Sequence, residues 1–477
     1  MAQSPALEAH LAPQPFVGPV LVGGFAMAVA TWCAAFITHL PALDLPGRVA
    51  GPTVLVVWGL AALVFGTWLS QRRAAGIGLA AGALSSILGL LILGSMLTEQ
   101  PVQGVLTPST GGLHAGAALA AAGFIAFGTV LGGACALAGA LLRRRAVIEP
   151  NWVGRFGMVT VAAVIPLLVV GGAVTSHNAG MAIKGWPTSD TANMFLYPIS
   201  LMVSDAGRFY EHTHRLFGTL VGLCAIVLMI YVLVAAKRPA VKIWAVAFFL
   251  LVLSQGILGG LRVLEDSRYA ALLHGVAAQL IFGVAIAVAA FLSPTYQSLV
   301  REGAPHWSTR VDGARKLRGF ATGLFHAMVL QLALGATFRH LKFEGSPGAM
   351  HALYAHAAFS LIVTGHAIAA GLYGMRAGRS VLVGRPRLGQ TLIRAGSGAL
   401  FVVGVQFALG WGAFLAVLSA PRSGEGQVLT VTPVQALITN SHQANGALLL
   451  ALATVLLVFS RRIASRGGTG TPAPPHA

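Results

Sequence analysis

The sequence predicts an all-α integral membrane protein of about twelve transmembrane helices, and three observations carry that prediction. Hydrophobic residues make up 56% of the chain and charged residues only 9%, far below the roughly 25% charged content of a soluble domain. Apolar runs near the ~20 residues that a bilayer-spanning helix needs recur along the whole chain. They fall at 17–39, 52–70, 76–97, 113–142, 157–176, 214–236, 241–262, 271–293, 319–338, 350–374, 394–418 and 436–460. Finally, most of the 31 Lys and Arg residues lie in alternate connections: Arg72 and Arg73; Arg143, Arg144, Arg145 and Arg155; Lys237, Arg238 and Lys242; Arg301 to Arg318; Arg376 to Arg394; Arg461, Arg462 and Arg466. By the positive-inside rule those connections and both termini face the cytoplasm of a cell whose inner membrane holds the chain, and 177–213 faces outward. The net charge of +18 is therefore a mark of topology and not a nucleic-acid footprint.

The elements follow in order. Residues 1–16 carry no Lys or Arg ahead of the first apolar run, so a cleaved signal peptide is not expected. Residues 1–150 read as an extra four-helix membrane segment of unknown role, closed by the basic, Pro-containing stretch 143–156. His39 and His114 stand at outer helix ends there, where an interfacial or packing role is the plainer account. Residues 151–318 and 319–465 then read as two related four-helix bundles, followed by a disordered cytoplasmic tail at 466–477. The pattern Gln-x-x-Leu-Gly recurs at Gln255-Leu258-Gly259, Gln331-Leu334-Gly335 and Gln406-Leu409-Gly410, each toward the outer end of an outward-running helix. Gly172-Ala173 and Gly335-Ala336 precede His177 and His340 by similar distances, which also suggests a duplication. Cys33, Cys135 and Cys224 all lie within apolar spans, so no disulfide framework or CxxC site is available.

Chemistry concentrates at Tyr210-Glu211-His212-Thr213-His214-Arg215-Leu216-Phe217-Gly218. On a helix starting near Glu211, Glu211 shares a face with His214 and Arg215, while His212 points elsewhere. Gly218 and Gly222 follow on the His214 stripe and leave a flat groove suited to a planar macrocycle. Four histidines are matched in position: His214, His274, His356 and His442 each lie near the outer start of an inward-running helix. Four residues on from them stand Gly218, Ala278, Ser360 and Gly446; His366 with Ala370 passes the same test, and His326 with Leu330 does not. Any one of these could be a hydrogen-bonded core histidine. Together they suggest metal ligands, because ionisable groups within a membrane are disfavoured and usually functional. Paired imidazoles across a helical bundle suit haem iron, whereas zinc usually takes four ligands, or three and water. Glu211 stands one turn before His214, but Leu353 occupies that place before His356, so only one half has an acid.

These residues resemble the haem A synthase family. The resemblance rests on Glu211-x-x-His214-Arg215, on Gly171-Gly172-Ala173-Val174-Thr175 followed by Gly180 and Trp186-Pro187, on the Gln-x-x-Leu-Gly patterns, and on His274, His356 and His442, and it covers roughly 157–460. It implies that 151–318 is the half that binds the substrate haem O and that 319–465 holds a haem B for electron transfer. His214 and His274 would then flank the substrate iron, with Arg215 at the substrate haem and Glu211 as the catalytic carboxylate, and His356 and His442 would ligate haem B. The reaction implied is oxidation of the C8 methyl group of haem O to a formyl group, giving haem A for terminal oxidase assembly. Haem O synthase as the supplier, a membrane electron acceptor, the lipid bilayer and a homo-oligomer are the partners it suggests. The outer cysteine pair of some family members is missing between 177 and 211, and the first four helices have no counterpart in the family core.

Two other readings compete. A non-catalytic di-haem b-type electron carrier would need no carboxylate beside a ligand. A repeat-built permease would relay protons through histidines and typically has helices broken near the bilayer midplane, and no convincing pair of such breaks is evident in the sequence.

Overall fold

The structure is a computed structural model, and it describes residues 16–43, 45–101, 112–144, 150–301, 311, 313–341, 348–419 and 432–464. The tail at 466–477 lies outside the described residues, as do Arg145, Arg310 and Arg466 of the basic connections. Among the described residues the regular secondary structure is all helical, with only isolated bridges such as Ser189 with Ala192. Twelve of their helices are long and apolar enough to cross a membrane. The protein is thus an all-α multi-pass membrane protein.

In chain order the helices are α1 (Val17–Thr38), α2 (Gly47–Gly66), α3 (Gln71–Leu93), α4 (Ala117–Leu142), α5 (Trp152–Ser176), the short α6 (Ile199–Met202), α7 (Ala206–Ala235), α8 (Pro239–Leu264), α9 (Arg268–Leu292), the short α10 (Pro294–Arg301), α11 (Ala314–Leu341), α12 (Gly348–Val381), α13 (Pro386–Leu418) and α14 (Pro433–Ile463). Several begin before the apolar windows do, because caps and polar first turns set the start. Helix α7 differs most from expectation. Its N-cap is Asp205, whose carboxylate accepts from Arg208 N at 2.8 Å. Glu211 therefore sits in the second turn of the helix and not at its mouth.

The chain divides into two compact units, residues 1–271 and 272–477. In the first, α3 and α4 approach closely through Gly78, Gly82, Gly128 and Gly132, where an added Cβ would run into the facing helix. Helix α1 packs against α2 and α3 and also against α5 and α7. Phe25 meets Phe156 edge-on with centroids 5.2 Å apart, Trp32 meets Phe217 at 5.9 Å, and Phe36 stacks on Phe209 at 5.8 Å. The basic stretch near 143–156 thus connects helices that share one packed interior.

Trp32 is only 2% exposed, so Trp32→Ala should open a cavity between α1 and α7. A loss of roughly 3 kcal/mol is expected, read as a lowered unfolding temperature of the purified protein in detergent. An unchanged temperature would contradict this packing.

In the second unit α11, α12, α13 and α14 form a closed ring of neighbours, each packed on the next and α14 returning to α11. Their shared core includes Leu317, Leu324, Ala367, Leu392, Ala399, Leu450 and Leu456, and Leu299 of α10 joins it. Helix α14 starts with a full capping box between Thr432 and Gln435. This end fixes where the turn bearing His442 lies.

Candidate functional site

In the first unit the site is built on α7 and on the connection 177–205. Glu211 is 3% exposed. Its Oε1 accepts from Arg215 Nη2 at 2.8 Å, and its Oε2 accepts from the main-chain N of Ile183 at 2.8 Å. Arg215 also donates through Nη2 to Ile183 O and through Nη1 to Gly185 O and Thr188 O, each at 2.9 Å. The i, i+4 ion pair foreseen from spacing is formed, and it also fastens the 183–188 segment to the helix. Removing one partner would leave a buried charge unpaired, which costs far more than the pair itself contributes.

Around this clamp the connection carries a polar network. Tyr197 donates to Asp190 Oδ2 at 2.8 Å, and Arg208 Nη1 donates to Tyr197 Oη at 2.7 Å and to the same Asp190 oxygen at 3.2 Å. Burial, together with the hydrogen bond to the Asp190 carboxylate, raises the Tyr197 hydroxyl above the usual phenol range. It therefore remains a donor. His212 is fully buried against Tyr197, ring centroids 4.9 Å apart, with Nδ1 3.3 Å from Ser189 Oγ. It faces the connection, away from His214, as its helical position requires.

His214 lies against α5. A Cβ placed on Gly171 would stand 2.9 Å from its Cε1 and 3.2 Å from its Nδ1. Below His214, a Cβ on Gly218 or Gly222 would meet nothing within 4 Å, so the flat helix face read from the sequence is open. His274, read from the sequence as belonging to the same half as His214, lies in the second turn of α9 within the second unit and is half-buried.

The second unit repeats the same device twice. A Cβ on Gly335 would stand 2.9 Å from His356 Cε1, and one on Gly410 would stand 3.2 Å from His442 Cε1. His356 Nδ1 donates to Gln331 O at 3.0 Å, which fixes the tautomer and leaves Nε2 as the nitrogen with a lone pair. The Gln331 amide Nε2 lies 3.3 Å from that nitrogen and donates to His356 O at 2.9 Å. At His442 the Gln406 amide Nε2 lies 3.2 Å from Nδ1 and 3.4 Å from Nε2. The two rings face each other with centroids 6.2 Å apart and planes inclined at 76°. Gln-x-x-Leu-Gly is thereby explained at two of its three occurrences. The glycine clears the ring's approach, and the glutamine one turn earlier supplies polar partners.

Structure corrects one detail of the repeat. Gly171, not Gly172, is the counterpart of Gly335, since each is the residue that meets an imidazole. His366 also lies against a glycine, since a Cβ on Gly323 would stand 2.6 Å from its Cδ2, but it and several other histidines bond their own helix. His39, His177, His326 and His366 each place Nδ1 2.8–2.9 Å from the carbonyl four residues earlier on their own helix. His114 accepts from Gly116 N at 3.2 Å. The sequence reading gave no role to Gln331, Gln406 or Asn445. The repeated glutamine was visible in the sequence, but its partner across the helix pair was not.

A Gly335→Ala change is a direct test of the cradle. It should push the imidazole off the Gln331 carbonyl, a loss of about 1 kcal/mol for one hydrogen bond, or roughly fivefold in any binding that needs the ring in place. Pigment bound per protein after purification is the measurement; full occupancy in the variant would show the cradle to be dispensable.

The fold and the site define a multi-pass membrane protein whose neighbouring helices present half-buried imidazoles against glycines. Residues 154–344 match the model of the COX15-CtaA family, described as cytochrome oxidase assembly protein, in agreement with the resemblance carried by the motifs. No curated protein and no solved structure matches the chain.

Proposed function

We propose that this protein is a haem A synthase that oxidises the C8 methyl group of haem O to a formyl group, within the inner (cytoplasmic) membrane and with both termini cytoplasmic. The observation that carries the proposal is the facing pair His356 and His442, ring centroids 6.2 Å apart and each set against a glycine, Gly335 and Gly410, in a chain whose 154–344 segment matches the model of a cytochrome oxidase assembly family.

Haem B in the second unit is supported by the facing imidazoles of α12 and α14. The rings of His356 and His442 lie 6.2 Å apart, centroid to centroid, on neighbouring helices, and paired imidazoles of this kind are a common way to hold haem iron. Among the described residues no group of three or more His, Cys, Asp and Glu could hold a metal ion, which disfavours zinc and suits a metal that brings a macrocycle's own ligands. His356 and His442 would hold it. Bound haem B would supply single-electron redox chemistry.

In the first unit Glu211 would accept a proton as the methyl group is oxidised. Its two hydrogen bonds use two of the roughly four lone-pair positions of a carboxylate, so acceptor capacity remains. Arg215 would act on the substrate by holding the 183–188 segment in place, since both its Nη atoms are engaged there. The roles of His214 and His274 toward the substrate iron rest on the sequence resemblance. Haem O synthase as the supplier of substrate and a membrane electron acceptor belong to the same reading.

A second reading, a di-haem b-type electron carrier, is favoured by one observation. Both Glu211 oxygens are tied to its own helix and the connection, so the acid has a structural task without catalysis. Cells that supply haem O separate the two readings. Chromatography with mass detection of extracted haems should show hydroxylated or formylated product with the enzyme, and unmodified haem with the carrier.

A further inference from the structure

We infer that Arg262 is the residue that pairs with a propionate carboxylate of the substrate macrocycle, the part that the sequence resemblance gives to Arg215. The inference rests on the reading of the first unit as the one that binds haem O.

Arg215 has little left to offer a ligand. Its Nη1 donates to Gly185 O and Thr188 O, and its Nη2 donates to Ile183 O and Glu211 Oε1. Every Nη hydrogen is therefore in use, and neither two-pronged side of the guanidinium remains for a second carboxylate.

Arg262 is in the opposite state. It stands half-buried in the last turn of α8, the end remote from the basic start at Arg238 and Lys242. Its guanidinium lies against the connection, where a Cβ on Gly180 would run into Nη1 and Nη2. Glu211, Asp266 and Arg215 are all within its electrostatic reach, yet no hydrogen bond or ion pair joins its side chain to any described residue. Glu211 is already matched by Arg215 and by the main-chain N of Ile183, and Asp266 is exposed. One further carboxylate would balance the charge on Arg262. A cation left without a partner in an apolar setting is costly, and in membrane proteins such groups are usually functional.

The groove for the macrocycle lies on the same side of α7 as Glu211. Gly218 and Gly222, where an added Cβ would meet nothing within 4 Å, continue the helical stripe that starts with Glu211 and Arg215. Haem O carries its two propionates on one edge of a flat ring, and an arginine fork matches a carboxylate with two parallel hydrogen bonds. A lipid phosphate offers similar oxyanion chemistry, but has no flat ring to fill the glycine face.

The test is an equilibrium titration of the full-length protein, as purified, with haem O and with haem O dimethyl ester, whose propionates are uncharged. Soret absorbance reports binding. Wild type should bind the acid about tenfold or more tightly than the ester, the scale of one charge-assisted hydrogen-bonded pair. Arg262→Gln should lose most of that preference by weakening the acid while leaving the ester unchanged. Arg262→Lys keeps the charge without the fork and should fall between. Equal binding of both forms by wild type overturns the inference without recourse to a variant. An Arg262→Gln protein that keeps the full preference also overturns it, as does one that weakens both forms equally, which would mark Arg262 as a structural charge at the helix end. Phospholipid phosphorus per chain should match between wild type and Arg262→Gln. A fall in it, with the acid preference kept, assigns Arg262 to a lipid headgroup and overturns the inference. In each of these cases haem O still binds and the haem A synthase reading stands. Wild type that binds neither form overturns that reading and the inference together.

Discussion

Replacing His356 or His442 with Ala is expected to abolish the low-spin b-type haem spectrum of the purified protein. Each ring is one of a facing pair on α12 and α14, and each is held by its own glutamine and glycine from the neighbouring helix. Loss of either leaves one imidazole, and a haem that remained would be five-coordinate and high-spin. The spectrum of the reduced protein and the haem recovered per chain are the measurements. His366→Ala is the comparison. Its ring nitrogen bonds the Ile362 carbonyl of its own helix, so the spectrum should persist. Unchanged spectra in both the His356 and His442 variants would remove the assignment.

Glu211→Gln is expected to slow methyl oxidation by about 10²–10⁴-fold, the usual loss when a general base is removed. Haem O or a hydroxylated intermediate should accumulate in place of haem A, with the haem B spectrum kept. The amide oxygen of glutamine can still accept from Arg215 or from Ile183 N, so much of the clamp on the 183–188 segment survives. Arg215→Ala provides the contrast, because it frees three main-chain carbonyls and leaves Glu211 buried and unpaired. It should destabilise the connection and lower activity through loss of folded protein. Wild-type yields of haem A from Glu211→Gln would leave Glu211 as a structural residue, whichever function the protein has.

Sequence alone determined the all-α membrane fold, because the cost of leaving backbone groups unpaired in lipid forces each long apolar run into a helix. The same cost made the positions of His214, His274, His356 and His442 stand out, since polar residues at matched depth in apolar helices are rare. The sequence also displayed Gln331, Gln406 and their glycines as a pattern, but not their use. Their partners lie 25 and 36 residues away along the chain, and no periodicity within one helix encodes which face of the next it meets. Tertiary packing decided that Gly171, not its neighbour, meets His214, and that Arg215 binds the 183–188 carbonyls. It decided too that α1 shares an interior with α5 and α7. Composition could not separate that contact from lipid, because a helix face of Phe, Trp and Ala is equally apolar whether it meets acyl chains or another helix.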